Sequence, residues 1–219
     1  MSAMLREGRL VIGTRRYSSW SQRGWLAVRL AGLDVEEVVI PLAGGRTEAI
    51  AQATPTGLVP YLEHRGARVW ESLAIGEYCA ELAPELWPPD RVERARARSL
   101  AAEMHAGFRA LRLAMPMNCG RHARPLAGGV PPEVAAEIGR IDAIWSEAQG
   151  PFLFGAGLTI ADVMFAPVVS RLISYAVELS QRAGAYRDAV RAHPLVEEWY
   201  AGAAAEPVAW RLDKYESLA

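Results

Sequence analysis

The chain has 219 residues, 51% apolar and 22% charged, an ordinary globular balance with length for one large domain or two small ones. Two cysteines, Cys79 and Cys119, exclude a disulfide scaffold and a four-cysteine zinc site. The 24 basic and 25 acidic side chains are balanced in both halves of the chain, which argues against a nucleic-acid partner. The first residues lack the apolar run of a secretory signal, and the longest apolar run, 163–169, is too short to cross a bilayer. These features predict a soluble cytoplasmic protein with no membrane partner.

In chain order, Leu10-Val11-Ile12 reads as a short buried strand stopped by Gly13. Residues 21–31, with Trp25, Leu26, Val28 and Leu30, read as a helix ended by Gly32. Residues 35–40 read as a strand stopped by Pro41, and 59–62 and 67–70 as two more around a turn at 63–66. Residues 73–82 read as a helix. The order β-α-β-α-β-β-α, with a helix between the second and third strands, makes a compact α/β layer. The stretch 84–89, with Pro84, Pro88 and Pro89, has the stiffness of a linker.

Beyond it lie 27 of the 38 alanines and no strand pattern. Leu100, Met104, Phe108, Leu111 and Met115 recur at spacings of three and four, predicting one face of a long helix, and Val134, Ile138, Ile141, Trp145 and Ala148 predict another. A further helix starts at Thr159, with Asp162 completing a capping box and Leu158 placed to staple onto Val163. Arg91, Arg94, Arg96 and Arg98, around Glu93, read as a solvated helix face. The expected organisation is an α/β domain over 1–83, a proline-rich linker over 84–89 and an all-helical domain over 90–219.

Four segments carry a resemblance. They are Tyr17-Ser18-Ser19-Trp20-Ser21-Gln22-Arg23, Thr54-Pro55-Thr56-Gly57-Leu58-Val59-Pro60-Tyr61-Leu62, Trp70-Glu71-Ser72-Leu73-Ala74-Ile75-Gly76-Glu77-Tyr78, and Leu158-Thr159-Ile160-Ala161-Asp162-Val163. In this order, across a proline linker, they resemble the glutathione S-transferases over residues 9–205. The resemblance implies a thioredoxin-like first domain followed by a helical bundle, glutathione as co-substrate, no metal, a symmetric homodimer and a role in detoxification. The Ser-Ser-x-Ser-x-Arg pattern resembles the serine-type bacterial enzymes and the zeta class, but zeta enzymes have a cysteine where Trp20 stands, which weighs against zeta isomerase chemistry. The implied activity is conjugation of glutathione to a small hydrophobic electrophile. Alternatives are a glutathione-dependent isomerase of the maleylacetoacetate type, a peroxidase, or a non-catalytic interaction protein of this fold.

Each site residue has a plain structural reading beside the functional one. Ser18, Ser19 and Ser21 suit helix caps; the resemblance makes Ser18, in preference to Ser19, the hydroxyl that stabilises the thiolate, helped by the positive helix end. Ser72 with Glu71 fits a capped helix start, and by resemblance the carboxylate and ammonium of the γ-glutamyl group. Val59-Pro60 fits the start of a strand, and by resemblance a cis peptide whose Val59 backbone pairs with the cysteinyl unit. Arg46 and Gln52 are the nearest partners for the glycyl carboxylate. The electrophile is placed against the helix after the linker, with Met104, His105, Phe108 and Arg112 as candidates beside apolar core positions, and Asn118 could turn back toward the site. Cys79 reads as buried packing and Cys119 as a loop residue; His64, His122 and His193 lack metal-ligand spacing, and His193-Pro194 reads as a helix start.

Overall fold

The structure, a computed structural model, describes residues 6–121 and 123–217. It begins with β1 (Gly8–Gly13), α1 (Ser19–Leu30), β2 (Glu36–Ile40), α2 (Glu48–Ala53), β3 (Tyr61–His64), β4 (Ala67–Trp70) and α3 (Ser72–Leu82). The sheet order is β2-β1-β3-β4, with β1 and β2 parallel and the other pairs antiparallel. Leu10 and Ile12 of β1 are almost fully buried against Trp25, Leu26 and Val28 of α1. This is the thioredoxin-like layer, with the alternation of strand and helix that the sequence predicts.

The third strand is displaced from its expected place. It starts at Tyr61 rather than Val59, because Pro60 has no N–H to donate to a ladder. It runs on through His64, whose ring is held by the Tyr78 hydroxyl at 2.7 Å and by Glu7 at 3.2 Å. The turn is therefore only Arg65-Gly66, both with positive φ (48° and 87°), the two-residue hairpin that suits the twist of the strands.

A 3-10 turn at Pro84–Leu86 leads to α4 (Arg91–Ala106), α5 (Arg109–Ala114), α6 (Pro132–Ser146), α7 (Ile160–Ser174), α8 (Gln181–Arg191), α9 (Pro194–Ala205) and the short α10 (Asp213–Glu216). The single long helix expected through Leu100 and Met115 is two helices. Gly107 leaves helical geometry and Phe108 is left-handed at φ 55°, ψ 40°, so α5 starts in a new direction. The apolar period survives the break because Leu100, Met104, Leu111 and Met115 all remain core.

Helix α7 is the central post of the helical layer: of its 15 residues only Ile173 is not buried. Its capping box is formed, and Asp162 accepts from Thr159 N, Thr159 Oγ1, Leu153 N and the Tyr186 hydroxyl at 2.8–3.0 Å. Helix α9 begins as predicted, with His193 as cap and Pro194 at the first position. Helix α7 packs on both α4 and α1, so the second layer is fastened to the first through the helix that begins at Ser19. No helix among the described residues is long and apolar enough to cross a membrane.

Candidate active site

Two adjoining cavities lie where α1 begins. The larger, about 360 Å3, is walled by Ser18, Ser19, Arg46, Arg112, Arg171 and Tyr215 among others. The smaller, about 280 Å3, is walled by Thr56, Pro60, Glu71 and Ser72. Trp20, Leu58 and Val59 line both.

Ser18 caps α1. Its Oγ accepts from Ser21 N at 3.3 Å and donates to Ser21 Oγ at 2.7 Å, and Ser21 Oγ in turn accepts from Gly13 N at 2.9 Å. Ser19 is the first residue of the helix, and its Oγ accepts from Arg171 Nη2 at 3.2 Å. Gly24, one and a half turns on, lets α1 lie against the Pro60 ring: a Cβ there would stand 2.8 Å from Pro60 Cγ. The Val59–Pro60 bond is cis.

The larger cavity is cationic. Arg46, Arg112 and Arg171 line it and no Asp or Glu does, among the described residues. Burial, with Arg112 nearby, lowers Arg171 to about 10, still fully protonated at neutral pH. Beneath the wall Arg23 is fully buried, with Nε on Met164 O at 2.9 Å and neither Nη atom hydrogen-bonded. The Trp20 ring takes two of these guanidinium groups, Arg23 at 4.6 Å and Arg112 at 5.1 Å, a cation–π arrangement that fixes its plane.

The smaller cavity has different chemistry. Glu71, at φ 68°, is held in a conformation that costs a non-glycine residue about 1–3 kcal/mol. It stands at the start of α3 with Ser72 behind it. Ser72 is 2% exposed and its Oγ has no partner; Thr56 Oγ1 is likewise unpartnered. Orphaned buried hydroxyls are costly unless a ligand completes them. His105 Nε2 lies 3.7 Å from Glu71, and burial lowers the imidazole below its ordinary value although Glu71 opposes the shift.

The structure thus brings together Ser18, Ser19, Arg46, Val59, Pro60, Glu71, Ser72 and Arg112 on the walls of one divided cleft. His105 reaches it through Trp20, ring to ring at 5.4 Å. Met104 and Phe108, expected beside the electrophile, are instead in the core: Met104 is fully buried, and Phe108 packs on Phe165 because the chain turns there. Gln52 is exposed and donates to Glu48 at 3.0 Å, whereas Arg46 packs against Gly57 on the cavity wall. Asn118 turns toward a strap formed by 211–217, donating to Tyr215 O and Glu216. Burial pushes the thiols of Cys79 and Cys119 up to about 12, which leaves them unreactive as nucleophiles. His122 lies outside the described residues.

Sequence reasoning missed Arg171, Leu212 and Tyr215, all on the wall of the larger cavity. The signal for Arg171 was an arginine two residues past the apolar run 163–169. Leu212 and Tyr215 carry no comparable signal.

Known proteins of one family are similar to this chain in sequence and in fold. The family model described as Glutathione S-transferase, N-terminal domain, matches residues 17–82, and that described as Glutathione S-transferase, C-terminal domain, matches 90–202. A maleylacetoacetate isomerase of Rattus norvegicus is 29% identical over 80% of this chain and 84% of its own length. One of Rhizobium meliloti is 32% identical over 74% and 81%. Among solved structures, a glutathione transferase homolog from Burkholderia with bound glutathione superposes with a TM-score of 0.68 at 24% identity, covering 92% of this chain and all of that one. A zeta-class bacterial maleyl pyruvate isomerase does so at 0.67 and 23%, covering 91% and 99%. By sequence, by the order of its two layers and by the cleft at the head of α1, the chain belongs to the glutathione S-transferase family.

Proposed function

We propose that the chain is a glutathione-dependent transferase that uses serine hydroxyls at the start of α1 to hold the sulfur as a thiolate. The carrying observation is the division of the cleft: a cavity with orphaned hydroxyls and Glu71 adjoins one whose charged lining is all arginine. Ser72 and Thr56 suit the γ-glutamyl carboxylate, Glu71 its ammonium, the Val59 backbone the cysteinyl unit, and Arg46 the glycyl carboxylate. Ser18 and Ser19, at the positive end of a 12-residue helix, stand where negative charge on sulfur is favoured. A free thiol near pKa 8.5 is only a few per cent ionised at neutral pH, so a shift of about two units is what this wall has to supply.

The electrophile's space is mixed rather than purely hydrophobic. Pro116, Met117, Leu212 and Tyr215 give it apolar sides, and Arg112 and Arg171 give it a cationic end. An electrophile with an apolar body and an acidic group fits this lining. The same observation supports a second reading, isomerisation of an unsaturated acid, which the names of the maleylacetoacetate isomerase relatives also favour. Trp20 in place of cysteine sets this chain apart from the zeta pattern. We further read the chain as a homodimer, supported by exposed Trp70 on edge strand β4 and exposed Leu82 and Val92; sedimentation of the purified chain tests it.

Ser18→Ala is expected to keep glutathione affinity within a few-fold and to lower the conjugation rate at least tenfold. Unchanged rate removes Ser18 from the mechanism, and failure of the unmodified chain to bind glutathione removes the proposal. Product analysis with a maleyl acid separates the readings: a rearranged double bond supports isomerase, a stable thioether supports transferase.

A further inference from the structure

We infer that Arg171 is a positioning residue which makes Ser19 a hydrogen-bond donor to the glutathione sulfur, so that a side chain of the helical layer sets the acidity of a thiol bound against the sheet layer. The inference rests on the glutathione reading above and goes beyond it by assigning the acidity to a particular pair.

Arg171 is 4% exposed. Its guanidinium is aimed by three hydrogen bonds: Nε to Met115 O at 2.9 Å, Nη1 to Pro167 O at 3.2 Å and Nη2 to Ser19 Oγ at 3.2 Å. None of the three acceptors is a carboxylate, so the charge is not neutralised by a contact and acts on the hydroxyl in front of it. A hydroxyl whose oxygen accepts from a cation becomes a stronger donor through its own O–H. Ser19 makes no other side-chain hydrogen bond in the described structure, which leaves that O–H for the cavity it lines. Ser18 is held differently: its oxygen accepts from Ser21 N and its proton goes to Ser21 Oγ. Ser18 thus acts on the sulfur through the helix end that it closes, and Ser19 adds a polarised proton on the wall.

The remaining charged side chains that line the cavity push the same way, and the opposing Glu216 carboxylate, behind the Tyr17 hydroxyl, is paired with Arg16. Arg112 comes from α5 and Arg23 from α1, and Arg46, Tyr17 and Tyr215 lie on the cavity's other walls. The step assisted is deprotonation alone: the S–H bond breaks, the proton leaves to water, and the sulfur keeps the electron pair.

The test titrates the full chain with glutathione, following the thiolate's ultraviolet absorbance against pH, with calorimetric affinity measured at a pH where the thiol is protonated. Ser19→Ala is expected to raise the pKa of the bound thiol by about one unit, roughly tenfold less thiolate below that pKa, with the affinity for the protonated form unchanged within about twofold. Ser19→Thr, which keeps the hydroxyl, is expected to restore the wild-type pKa. Arg171→Met is expected to raise it at least as much, and to add less in the Ser19→Ala background than alone, the mark of a coupled pair. Should Arg171→Met fail to fold, the Ser19 variants decide by themselves. A wild-type pKa in Ser19→Ala with glutathione still bound overturns the inference and leaves the transferase reading standing; absence of binding to the wild-type chain overturns both.

Discussion

Asp162 shows how a single side chain outside the lining of the cleft bears on the cleft's geometry. It is fully buried, and burial pushes its carboxyl up, while four donors, from Leu153, two atoms of Thr159 and Tyr186, pull it back. Those four bonds fix the first turn of α7, the helix that carries Arg171 to Ser19. Removing the acceptor strands several buried donors at once, each costing about 1–3 kcal/mol with partial relaxation. Asp162→Ala is therefore expected to destabilise the chain by about 3–5 kcal/mol in urea unfolding, and Thr159→Ala, which removes one of these donors, by about 1 kcal/mol. A loss under 1 kcal/mol for Asp162→Ala contradicts this account. The capping box was legible in the order Thr159, Ile160, Ala161, Asp162, because its chemistry is local. Arg171 was not, because its meaning comes from Ser19 and Met115, more than fifty residues away along the chain.

At the scale of elements, the contact that shapes the cleft is α1 against the loop before β3. Gly24 in the interior of α1 is unfavourable for a helix by about 1 kcal/mol relative to Ala. The Cβ that Ala would add meets Pro60 Cγ and Cβ at 2.8 and 2.9 Å, a rigid ring with no flexible end to move aside. Overpacking of this kind costs about 1–3 kcal/mol, so the strain outweighs the propensity gain. Gly24→Ala is expected to lower the melting temperature and, by pushing Val59 off the cleft, to weaken glutathione binding several-fold; a stabilised variant with normal binding refutes the argument. The same scale explains the misread helix. A period of three and four records which side chains are buried, not whether the backbone between them is continuous. Gly107 and left-handed Phe108 break the axis between Met104 and Leu111 without disturbing the stripe. The first two strands, the turn between the last two and the end of α3 were legible because Gly13, Pro41, Gly66 and Pro84 punctuate the backbone by themselves. The electrophile wall was not, because it joins α5, α7 and the strap, three segments with no shared pattern in the sequence.

For the whole molecule, the strap over 211–217 joins parts that the sheet and bundle leave separate. Glu216 accepts from Arg16 at 2.8 and 3.0 Å, from the Tyr17 hydroxyl at 2.5 Å and from Asn118 at 3.2 Å. Tyr17 in turn accepts from Leu212 N at 3.1 Å, and Lys214 donates to Gly44 O at 2.9 Å. Leu212 and Tyr215, between these anchors, wall the larger cavity next to the loops that carry Ser18 and Arg46. The hydrogen bonds of Arg16, ahead of the opposing effect of burial, hold the Glu216 carboxyl at about 2, well below its ordinary 4.5. A carboxyl depressed in the docked state adds stability above its free value and loses it as pH falls through the depressed one. Docking of the strap is thus expected to be complete above about pH 5 and to weaken between 4.5 and 2, read as rising hydrogen exchange over 211–217. Glu216→Gln removes the charge at every pH while keeping the shape, so it is expected to loosen the strap already at neutral pH. The KM for the electrophile then rises several-fold, while glutathione affinity, set mainly at the other cavity, changes little. If the exchange of 211–217 in Glu216→Gln matches that of the wild-type chain at pH 7, the carboxylate is not what fastens the strap.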